Sequence, residues 1–270
     1  MKYKLLISDY DGTTTEGQVI PKNVVNSIKE YRKNGGKFVF CTGRAEGSIL
    51  EIMQENGIEA DAVISYQGSK IIADGKILLQ GGIPYALASE LVKGMRNFNK
   101  GIVSFCSDVI YYEGNDGIEN YVDFYRNLNK VCKVDDLAQT LLDNKIDSQK
   151  LVITKTPDEE VSAIYDYFNS RYGSEVLTNS GGVTLIELVA EKCSKYHAAK
   201  FIADYLGFNE SETITIGDST NDLSLINFGY GIAVESGSSE LKKHAKHVAP
   251  AVDKFPLCYV IDKALKNEEF

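Results

Sequence analysis

The sequence predicts an α/β fold in which a doubly wound parallel sheet is interrupted by an inserted α+β domain. Short apolar runs alternate with helical patterns over the first 65 residues, and the same alternation returns after about residue 187. Between these two parts, several apolar runs follow one another without a helix. Alternation implies parallel strands with right-handed crossovers, whereas directly consecutive strands usually pair antiparallel.

The N-terminal part supplies three strands and two helices of the predicted core. Apolar runs predict strands at residues 4–8, 37–41 and 62–65. A helical pattern opens at Pro21 and closes before Gly35, which matches the usual places of proline and glycine at helix ends. A second helix is predicted over residues 48–56, where the next residue is again a glycine.

The pattern changes after residue 65. Asp74-Gly75 lies between two apolar runs, which predicts a hairpin. Further strands are predicted at residues 102–106, 109–113, 150–154, 175–179 and 183–189. The resumed alternation predicts a helix at 195–206, a strand at 213–216, a helix at 223–228 and a strand at 231–234. We therefore expect residues 1–83 and 187–270 to form the core, and residues 84–186 to form the inserted domain.

The composition restricts the possible partners. The chain of 270 residues has 29 Lys+Arg and 38 Asp+Glu, a net charge of −9, which disfavours binding to nucleic acid or to an anionic membrane. No apolar run is long enough for a membrane span or a signal peptide. The cysteines are widely spaced, without a CxxC pair, and are expected to be reduced thiols of a cytoplasmic protein. They are Cys41, Cys106, Cys132, Cys193 and Cys258.

The first candidate site is Asp9-Tyr10-Asp11-Gly12-Thr13, directly after the first predicted strand. Ligands of open α/β sheets bind at the carboxyl ends of strands, so the location suits a site. One carboxylate could attack a substrate while the other donates and then withdraws a proton. The alternative is a solvated turn, because aspartate and glycine are common turn residues.

The second candidate is Cys41-Thr42-Gly43-Arg44, at the end of the second predicted strand. The Thr42 hydroxyl and the backbone N–H groups before a helix suit a phosphate oxygen. Alternatively, Thr42 is only the N-cap of the following helix.

Two further candidates lie in the resumed core. Gly217-Asp218-Ser219-Thr220-Asn221-Asp222 follows a predicted strand and offers several oxygen ligands of the kind that Mg²⁺ prefers. The alternative is an N-cap, at Ser219 or Thr220, before a helix with acids in its first turn. Lys195 opens a predicted helix, where a lone lysine is usually a solvated charge.

In combination, these motifs carry more information than any one of them. The acid pair, the threonine, the lysine and the second acid cluster, in this order and separation, resemble the haloacid dehalogenase (HAD) superfamily. The whole chain is similar to its Cof-like type IIB phosphatases, and the resemblance covers nearly all 270 residues. It implies a Rossmann-like, HAD-like core with an α+β cap domain that closes over the site, excludes bulk water and selects the substrate.

The resemblance also implies roles for the acids. Asp9 would be the nucleophile that forms an aspartyl-phosphate. Asp11 would protonate the leaving oxygen and then activate water. Mg²⁺ would be held by the Asp9 carboxylate, the Asp11 backbone carbonyl and Asp218, with Asp222 supporting it directly or through water.

The phosphoryl group would be held by the remaining motif residues. Thr42 would bond to it, Lys195 would neutralise charge between it and the nucleophile, and Asn221 would orient the phosphate or Lys195. Mg²⁺ and Lys195 would supply positive charge that the acidic chain lacks overall. The other expected substrate contacts are Gly12, Thr13, Gly43 and Arg44.

Some positions depart from the family pattern. Thr14 replaces the leucine that usually follows the DGT motif, and Tyr66-Gln67-Gly68 stands where relatives often have Asn-Gly at a cap hinge. Val234-Glu235-Ser236-Gly237 replaces a common Gly-Asn-Ala. Lys192 is a rival of Lys195 for the catalytic role.

The expected activity is Mg²⁺-dependent hydrolysis of a small phosphomonoester, such as a sugar phosphate or a related metabolite, by a monomer or weak homodimer. The alternatives are a phosphomutase or phosphotransferase, with Arg126 or Arg171 on a second phosphate, and a non-catalytic phosphate-binding protein on the same fold. Tyrosines at 111–112 and 121–125 either line a sugar-binding surface or form ordinary core.

Overall fold

The computed structural model describes residues 1–98, 100–114, 118–154, 161–180 and 185–270. The chain divides into two units. The first combines both ends of the sequence, Met1–Leu79 and Ser194–Phe270, and the second is the intervening segment Gln80–Cys193.

Fourteen strands and ten α-helices are found in the described residues. The strands are β1 (Leu5–Ser8), β2 (Lys37–Cys41), β3 (Ala62–Ser65), β4 (Lys70–Ala73), β5 (Lys76–Gln80), β6 (Ile102–Cys106), β7 (Val109–Glu113), β8 (Lys130–Lys133), β9 (Lys150–Thr154), β10 (Val176–Ser180), β11 (Leu185–Ala190), β12 (Thr213–Gly217), β13 (Tyr230–Val234) and β14 (His247–Ala249). The helices are α1 (Lys22–Lys33), α2 (Glu46–Asn56), α3 (Tyr85–Met95), α4 (Ile118–Asp123), α5 (Leu137–Asn144), α6 (Val161–Tyr172), α7 (Lys195–Leu206), α8 (Leu223–Ile226), α9 (Ser239–His244) and α10 (Pro256–Lys266). Across the described ranges, no helix has both the length and the apolar character needed to cross a membrane.

The first unit is built on a sheet in the order β14-β13-β12-β1-β2-β3-β4-β5. Pairing is parallel from β14 to β3 and antiparallel between β3 and β4. β4 and β5 are joined by Asp74-Gly75, whose φ angles of 51° and 69° are those of a tight two-residue hairpin turn. The predicted parallel core and the predicted hairpin are confirmed.

Helices cover both faces of this sheet because its central strands are apolar on both sides. Every residue of β1 is buried. Leu6 packs in one cluster with Ile28 of α1 and Val260 of α10. Leu5 packs in another cluster, with Ile202 of α7. Alternate side chains of β1 therefore pack into two separate cores, one on each face of the sheet, as a doubly wound sheet requires.

The parallel pairing places three strand ends at one edge of the sheet. β1 pairs with both β12 and β2, so these strands run in the same direction. Asp9, Thr42 and Asp218 are the first residues beyond the ends of β1, β2 and β12. The fold therefore brings the candidate motifs to the edge where α/β sheets bind ligands.

The second unit has its own sheet, in the order β10-β11-β9-β6-β7-β8. Its pairs are antiparallel except β7 with β8, which are parallel. A core cluster joins Leu151 and Ile153 of the sheet to Leu91 of α3, Leu141 of α5 and Phe168 of α6. This is the α+β architecture that the sequence predicts for the insertion.

Some details differ from the prediction. β8 and β14 are not predicted, because they have only four and three residues and no continuous apolar run. The strand predicted at 183–189 is β11, and residues 183 and 184 lie outside the described residues. β11 pairs with β9 and β10, so the second unit continues past the predicted boundary at residue 186 to Cys193. The other boundary falls after Leu79, where the sequence predicts residue 83.

A buried ion pair crosses the sheet of the second unit and provides a stability test. The Lys150 Nζ atom lies 2.6 Å from the Glu187 Oε1 atom, and the two side chains are only 2% and 6% exposed. Removing the cation alone leaves a buried carboxylate, so Lys150→Met should lower the free energy of unfolding by about 3 kcal/mol or more. The double variant Lys150→Met/Glu187→Leu should recover most of that loss in urea unfolding. A double variant no more stable than Lys150→Met would contradict this prediction.

Candidate functional site

Asp9 is held at the end of β1 by its own backbone. Its N–H donates to the Ile216 carbonyl of β12 at 2.9 Å. Its carbonyl accepts hydrogen bonds from the Ser8 hydroxyl at 2.7 Å and the Thr14 hydroxyl at 2.8 Å. Thr14, which replaces the usual leucine, therefore braces the nucleophile candidate, a role that the sequence pattern did not indicate.

Lys195 joins two carboxylates that are far apart in the sequence. Its Nζ atom lies 2.7 Å from Asp9 Oδ1 and 2.6 Å from Asp222 Oδ1, and its side chain is 3% exposed. The Ser194 side chain caps α7, which makes Lys195 the first residue of that helix. Lys192, its rival in the sequence, is exposed. Lys195 is thus a buried member of the cluster and not the solvated charge of the alternative interpretation.

Asp222 acts as a brace as well as a partner of Lys195. The side chain is fully buried. Its Oδ2 atom accepts hydrogen bonds from the backbone N–H groups of Asp218 at 3.1 Å and Ser219 at 3.0 Å. Ser219 and Asp222 form a reciprocal capping box, so the capping alternative for this segment is also realised. Both oxygens of Asp222 are thereby engaged, which suits indirect support of a metal better than direct ligation.

The Asp218 carboxylate lies against the turn formed by Gly12 and Thr13. Its Oδ1 atom accepts a hydrogen bond from the Thr13 hydroxyl at 2.9 Å. Gly12 has a φ of +77°, and a Cβ atom added there would lie 2.5 Å from Asp218 Oδ2. Only glycine therefore meets both the left-handed backbone and the close approach of this carboxylate. Gly12 and Thr13, which the resemblance gives as substrate contacts, both lie against Asp218 in the structure.

The cluster carries more negative than positive charge. Carboxylate oxygens of Asp9, Asp218 and Asp222 lie within 4.8 Å of one another, with the single Lys195 ammonium beside them. Burial raises the pKa of Asp9 well above its usual value, Asp222 adds to this rise, and Lys195 opposes it. Burial, followed by the charge of Asp222, raises the pKa of Asp218 to about 6.

Lys195 shows the opposite balance. Burial by itself lowers the pKa of its ammonium, but the charges of Asp222 and Asp9 outweigh burial and raise it well above the usual value. The lysine therefore stays charged, and it does not neutralise all three acids.

This arrangement fits Mg²⁺. Among the described residues, the Oδ2 atoms of Asp9 and Asp218 accept no hydrogen bond, so each offers an oxygen to a cation. Mg²⁺ takes oxygen ligands, often only one or two protein carboxylates together with water. Burial is the main cause of both raised pKa values, and a divalent ion would offset the neighbouring negative charge that adds to the rise.

Thr42 follows β2 and is almost completely buried. Its N–H donates to the Ile64 carbonyl of β3 at 2.9 Å, and its hydroxyl accepts from the Arg44 N–H at 3.1 Å. The N-cap of α2 is Ala45, with no side-chain cap, so Thr42 does not cap that helix. The hydroxyl instead shapes the loop from Thr42 to Arg44, which also contains Gly43.

This loop is supported by a strained turn after β3. The Tyr66 and Gln67 N–H groups donate to the carbonyls of Arg44 and Thr42, each at 3.0 Å. Tyr66 and Gln67 have φ angles of 51° and 61°, a left-handed conformation that is uncommon outside glycine. The sequence marked this segment as a hinge and substrate-facing point but did not reveal that its backbone holds the Thr42 loop.

The structure does not bring the Asp11 carboxylate into the acidic cluster. The group of converging carboxylates consists of Asp9, Asp218 and Asp222. Asp11 instead pairs with Arg44, whose Nε and Nη2 atoms donate to its two oxygens at 2.8 and 2.6 Å. Asn221 lies on the turn Thr220–Asp222 after β12.

Comparison with known proteins identifies the family of this chain. A family model described as haloacid dehalogenase-like hydrolase matches residues 6–261, which is nearly the whole chain. The chain belongs to this family.

Several known proteins resemble the chain over nearly its full length. The phosphatase YwpJ of Bacillus subtilis is 24% identical over 286 aligned positions, which cover 97% of this chain and all of that protein. A HAD-like hydrolase structure from B. subtilis has a TM-score of 0.85 at 21% identity, covering 96% of this chain and 99% of the other. The structure of BT4131, described as a HAD subclass IIB sugar phosphatase, has a TM-score of 0.81 at 17% identity, covering 97% and 98%.

Gly12 allows a direct test of the acidic cluster. Gly12→Ala should displace the Asp218 carboxylate and weaken Mg²⁺ binding by about 10- to 100-fold, measured by isothermal titration calorimetry. Gly35→Ala is a matched control, because Gly35 also has a positive φ, of +88°, but an added Cβ would meet nothing within 4 Å. Equal Mg²⁺ affinities in the two variants would refute the role given to Gly12.

The raised pKa of Asp218 predicts how stability depends on pH. Its pKa is about 6 in the folded protein and about 4 in an unfolded chain, so the folded state binds this proton more tightly. The contribution of Asp218 to stability is therefore full below about pH 4 and is lost as the pH rises through about 6. The raised pKa of Asp9 acts in the same direction.

Thermal denaturation can measure this effect. Without metal, Asp218→Asn should be more stable than the wild type at about pH 7.5, and the difference should shrink towards about pH 4. Added Mg²⁺ should raise the thermal unfolding midpoint of the wild type more at about pH 7.5 than at about pH 5. In Asp218→Asn, Mg²⁺ should raise this midpoint much less. A metal-free Asp218→Asn protein less stable than the wild type at the higher pH would contradict the prediction.

Proposed function

We propose that this protein is a Mg²⁺-dependent phosphatase that hydrolyses small phosphomonoesters through an aspartyl-phosphate on Asp9. The proposal rests on the hydrogen bonding of the two Asp9 carboxylate oxygens. One oxygen is fixed by the buried Lys195 ammonium, and the other accepts no hydrogen bond from the described residues. Membership of the HAD-like hydrolases and similarity to the phosphatase YwpJ support the reaction class.

The chain's own residues account for the first step. A carboxylate oxygen of Asp9 attacks phosphorus and forms a P–O bond, while the bond from phosphorus to the ester oxygen breaks. The Lys195 hydrogen bond to Oδ1 fixes the orientation of the Asp9 carboxylate. The Thr42 hydroxyl, on the loop after the neighbouring strand, binds a phosphoryl oxygen. Bound Mg²⁺ would be held by Asp9 and Asp218, and would supply charge neutralisation between the two anions.

Asp11 carries the proton in both steps. Its carboxyl group protonates the leaving ester oxygen and then, as a carboxylate, accepts a proton from the water that attacks the aspartyl-phosphate. The second step releases inorganic phosphate and restores the Asp9 carboxylate. Because the Asp11 side chain is about half exposed at 53%, it has room to turn towards a bound ester.

The substrate class that we propose is sugar phosphates or related metabolites. The fold relative BT4131 is described as a sugar phosphatase. Tyr125, in the cluster that the sequence left open, is buried with its ring 5.2 Å from Phe105 and 5.6 Å from Tyr121, which is core packing. We also propose a cytoplasmic location, in keeping with five free thiols.

The observed contacts of the two arginines do not favour a phosphomutase. Arg126 is paired with Asp123. The guanidinium of Arg171 lies 4.2 Å from the centre of the Tyr167 ring. Neither contact marks a site for a second phosphate, so hydrolysis is the transfer that we propose.

A phosphate-release screen over many phosphorylated metabolites, with and without Mg²⁺, tests the function. The wild type should release phosphate only with Mg²⁺, and Asp9→Asn should lose turnover by roughly three orders of magnitude or more. Rapid quenching and intact-mass measurement should detect a phosphorylated wild-type chain and none in the variant. Asp204→Asn, on the exposed face of α7, is the matched control and should retain activity. Full activity in Asp9→Asn would contradict the role of Asp9 as nucleophile. A wild type without turnover on any ester would favour the non-catalytic phosphate-binding protein.

A further inference from the structure

The pair between Arg44 and Asp11 links two residues that the reaction needs separately. The guanidinium meets both carboxylate oxygens, at 2.8 and 2.6 Å, in a bidentate arrangement. Asp11 is the residue that must reach the leaving oxygen, yet its carboxylate lies outside the cluster formed by Asp9, Asp218 and Asp222. The pair therefore holds the proton carrier on a partner other than the substrate.

Arg44 is the fixed member of this pair. Its Nη1 atom also donates to the Ser48 hydroxyl at 3.3 Å, and its guanidinium lies 4.9 Å from the centre of the Tyr10 ring. Its backbone is held by the Thr42 hydroxyl and by the Tyr66 N–H. The Arg44 side chain is 21% exposed, compared with 53% for Asp11, so Asp11 is the partner with room to leave.

The guanidinium suits a second anion as well as the first. A planar fork of N–H donors binds carboxylates and phosphates in the same bidentate geometry. Arg44 lies on the same short loop as Thr42, the residue proposed to bond to the phosphoryl group. A phosphoryl group on that loop would therefore compete with the Asp11 carboxylate for one cation.

We propose that Arg44 is a positioning residue that exchanges the Asp11 carboxylate for the phosphoryl group of the substrate. In the resting protein, Arg44 holds Asp11 away from the acidic cluster. When a phosphomonoester binds, its phosphoryl oxygens take over the guanidinium, and the released Asp11 carboxylate takes up a proton from solvent and turns to the ester oxygen. This inference rests on the proposed function, because it assumes that a phosphoryl group binds beside Asp9.

The exchange of Asp11 for a phosphoryl group on Arg44 predicts a change in the affinity for inorganic phosphate. This affinity can be measured without catalytic turnover. Breaking a partly exposed ion pair opposes phosphate binding, so weakening that pair with Asp11→Asn should tighten phosphate binding by about two- to fivefold. The gain should disappear in an Arg44→Met background, because no guanidinium is left to release. Calorimetric titration of phosphate in the presence of Mg²⁺ gives the four dissociation constants of this double-mutant cycle.

Simple repulsion between Asp11 and phosphate predicts a different result. Asp11→Asn would then tighten phosphate binding by the same factor with or without Arg44. Additive effects of Asp11→Asn and Arg44→Met in the cycle would therefore overturn the exchange. An arginine that stays on Asp11 throughout predicts no tightening in Asp11→Asn, which would overturn it as well. Arg44→Lys keeps the positive charge but loses the planar pair of N–H donors. If the exchange occurs, Asp11→Asn should tighten phosphate binding less in the Arg44→Lys background than in the wild-type background.

Two control variants match the charge changes elsewhere in the first unit. Arg32 forms a similar forked pair with Asp61, at 3.0 and 3.4 Å, and also contacts Glu59. Arg32→Met and Glu59→Gln should leave the phosphate dissociation constant unchanged. A wild-type protein that neither binds phosphate nor releases it from any ester would remove the proposed function and the exchange with it. A wild type that binds phosphate but gives an additive cycle would remove the exchange alone.

Discussion

The site depends on the need to pair one buried ammonium. Lys195 is only 3% exposed, and an unpaired charge at that depth would be strongly unfavourable. Its partners, Asp9 and Asp222, lie 186 and 27 positions away along the chain. The strand that ends at Asp9, the turn that carries Asp222 and the helix that begins at Lys195 must therefore all be in place together. Lys195 is also the second residue after the chain leaves the inserted unit, so the site is completed where the chain re-enters the core.

The same cluster is electrostatically incomplete. Three carboxylates surround one ammonium, and the pKa values of Asp9 and Asp218 are raised because burial and neighbouring charge disfavour their ionised forms. Close backbone approach by Gly12 and hydrogen bonds from Thr13 and the residues around Asp222 hold the acids in this arrangement. Such a site lowers the stability of the protein without a cation and favours binding of one, which is a common conflict between stability and function.

The neighbouring Arg44 pair shows a different use of charge. The acidic cluster is buried and held from several sides, whereas Asp11 is half exposed and is held mainly by the guanidinium. A buried network resists change because each member satisfies another, while a partly exposed pair is worth little and can be exchanged. The fixed groups are thus those proposed to attack and to bind metal, and the exchangeable group is the one proposed to move a proton between two steps.

The sequence by itself determined the α/β class, most strand positions and the motifs that follow three strand ends. Apolar runs and turn residues are local signals, and parallel pairing brings the carboxyl ends of strands to one edge. The short strands β8 and β14 were missed because their sequences carry no such signal.

Only the tertiary structure decided how the motif residues pair. It placed Asp11 on Arg44, gave Asp222 a bracing role, put Gly12 against Asp218 and supported the Thr42 loop with the backbone of Tyr66 and Gln67. Each of these outcomes depends on distances of a few ångströms between segments that are remote in the chain. A local pattern predicts where a side chain begins, but burial and competing partners in three dimensions determine which atom it meets.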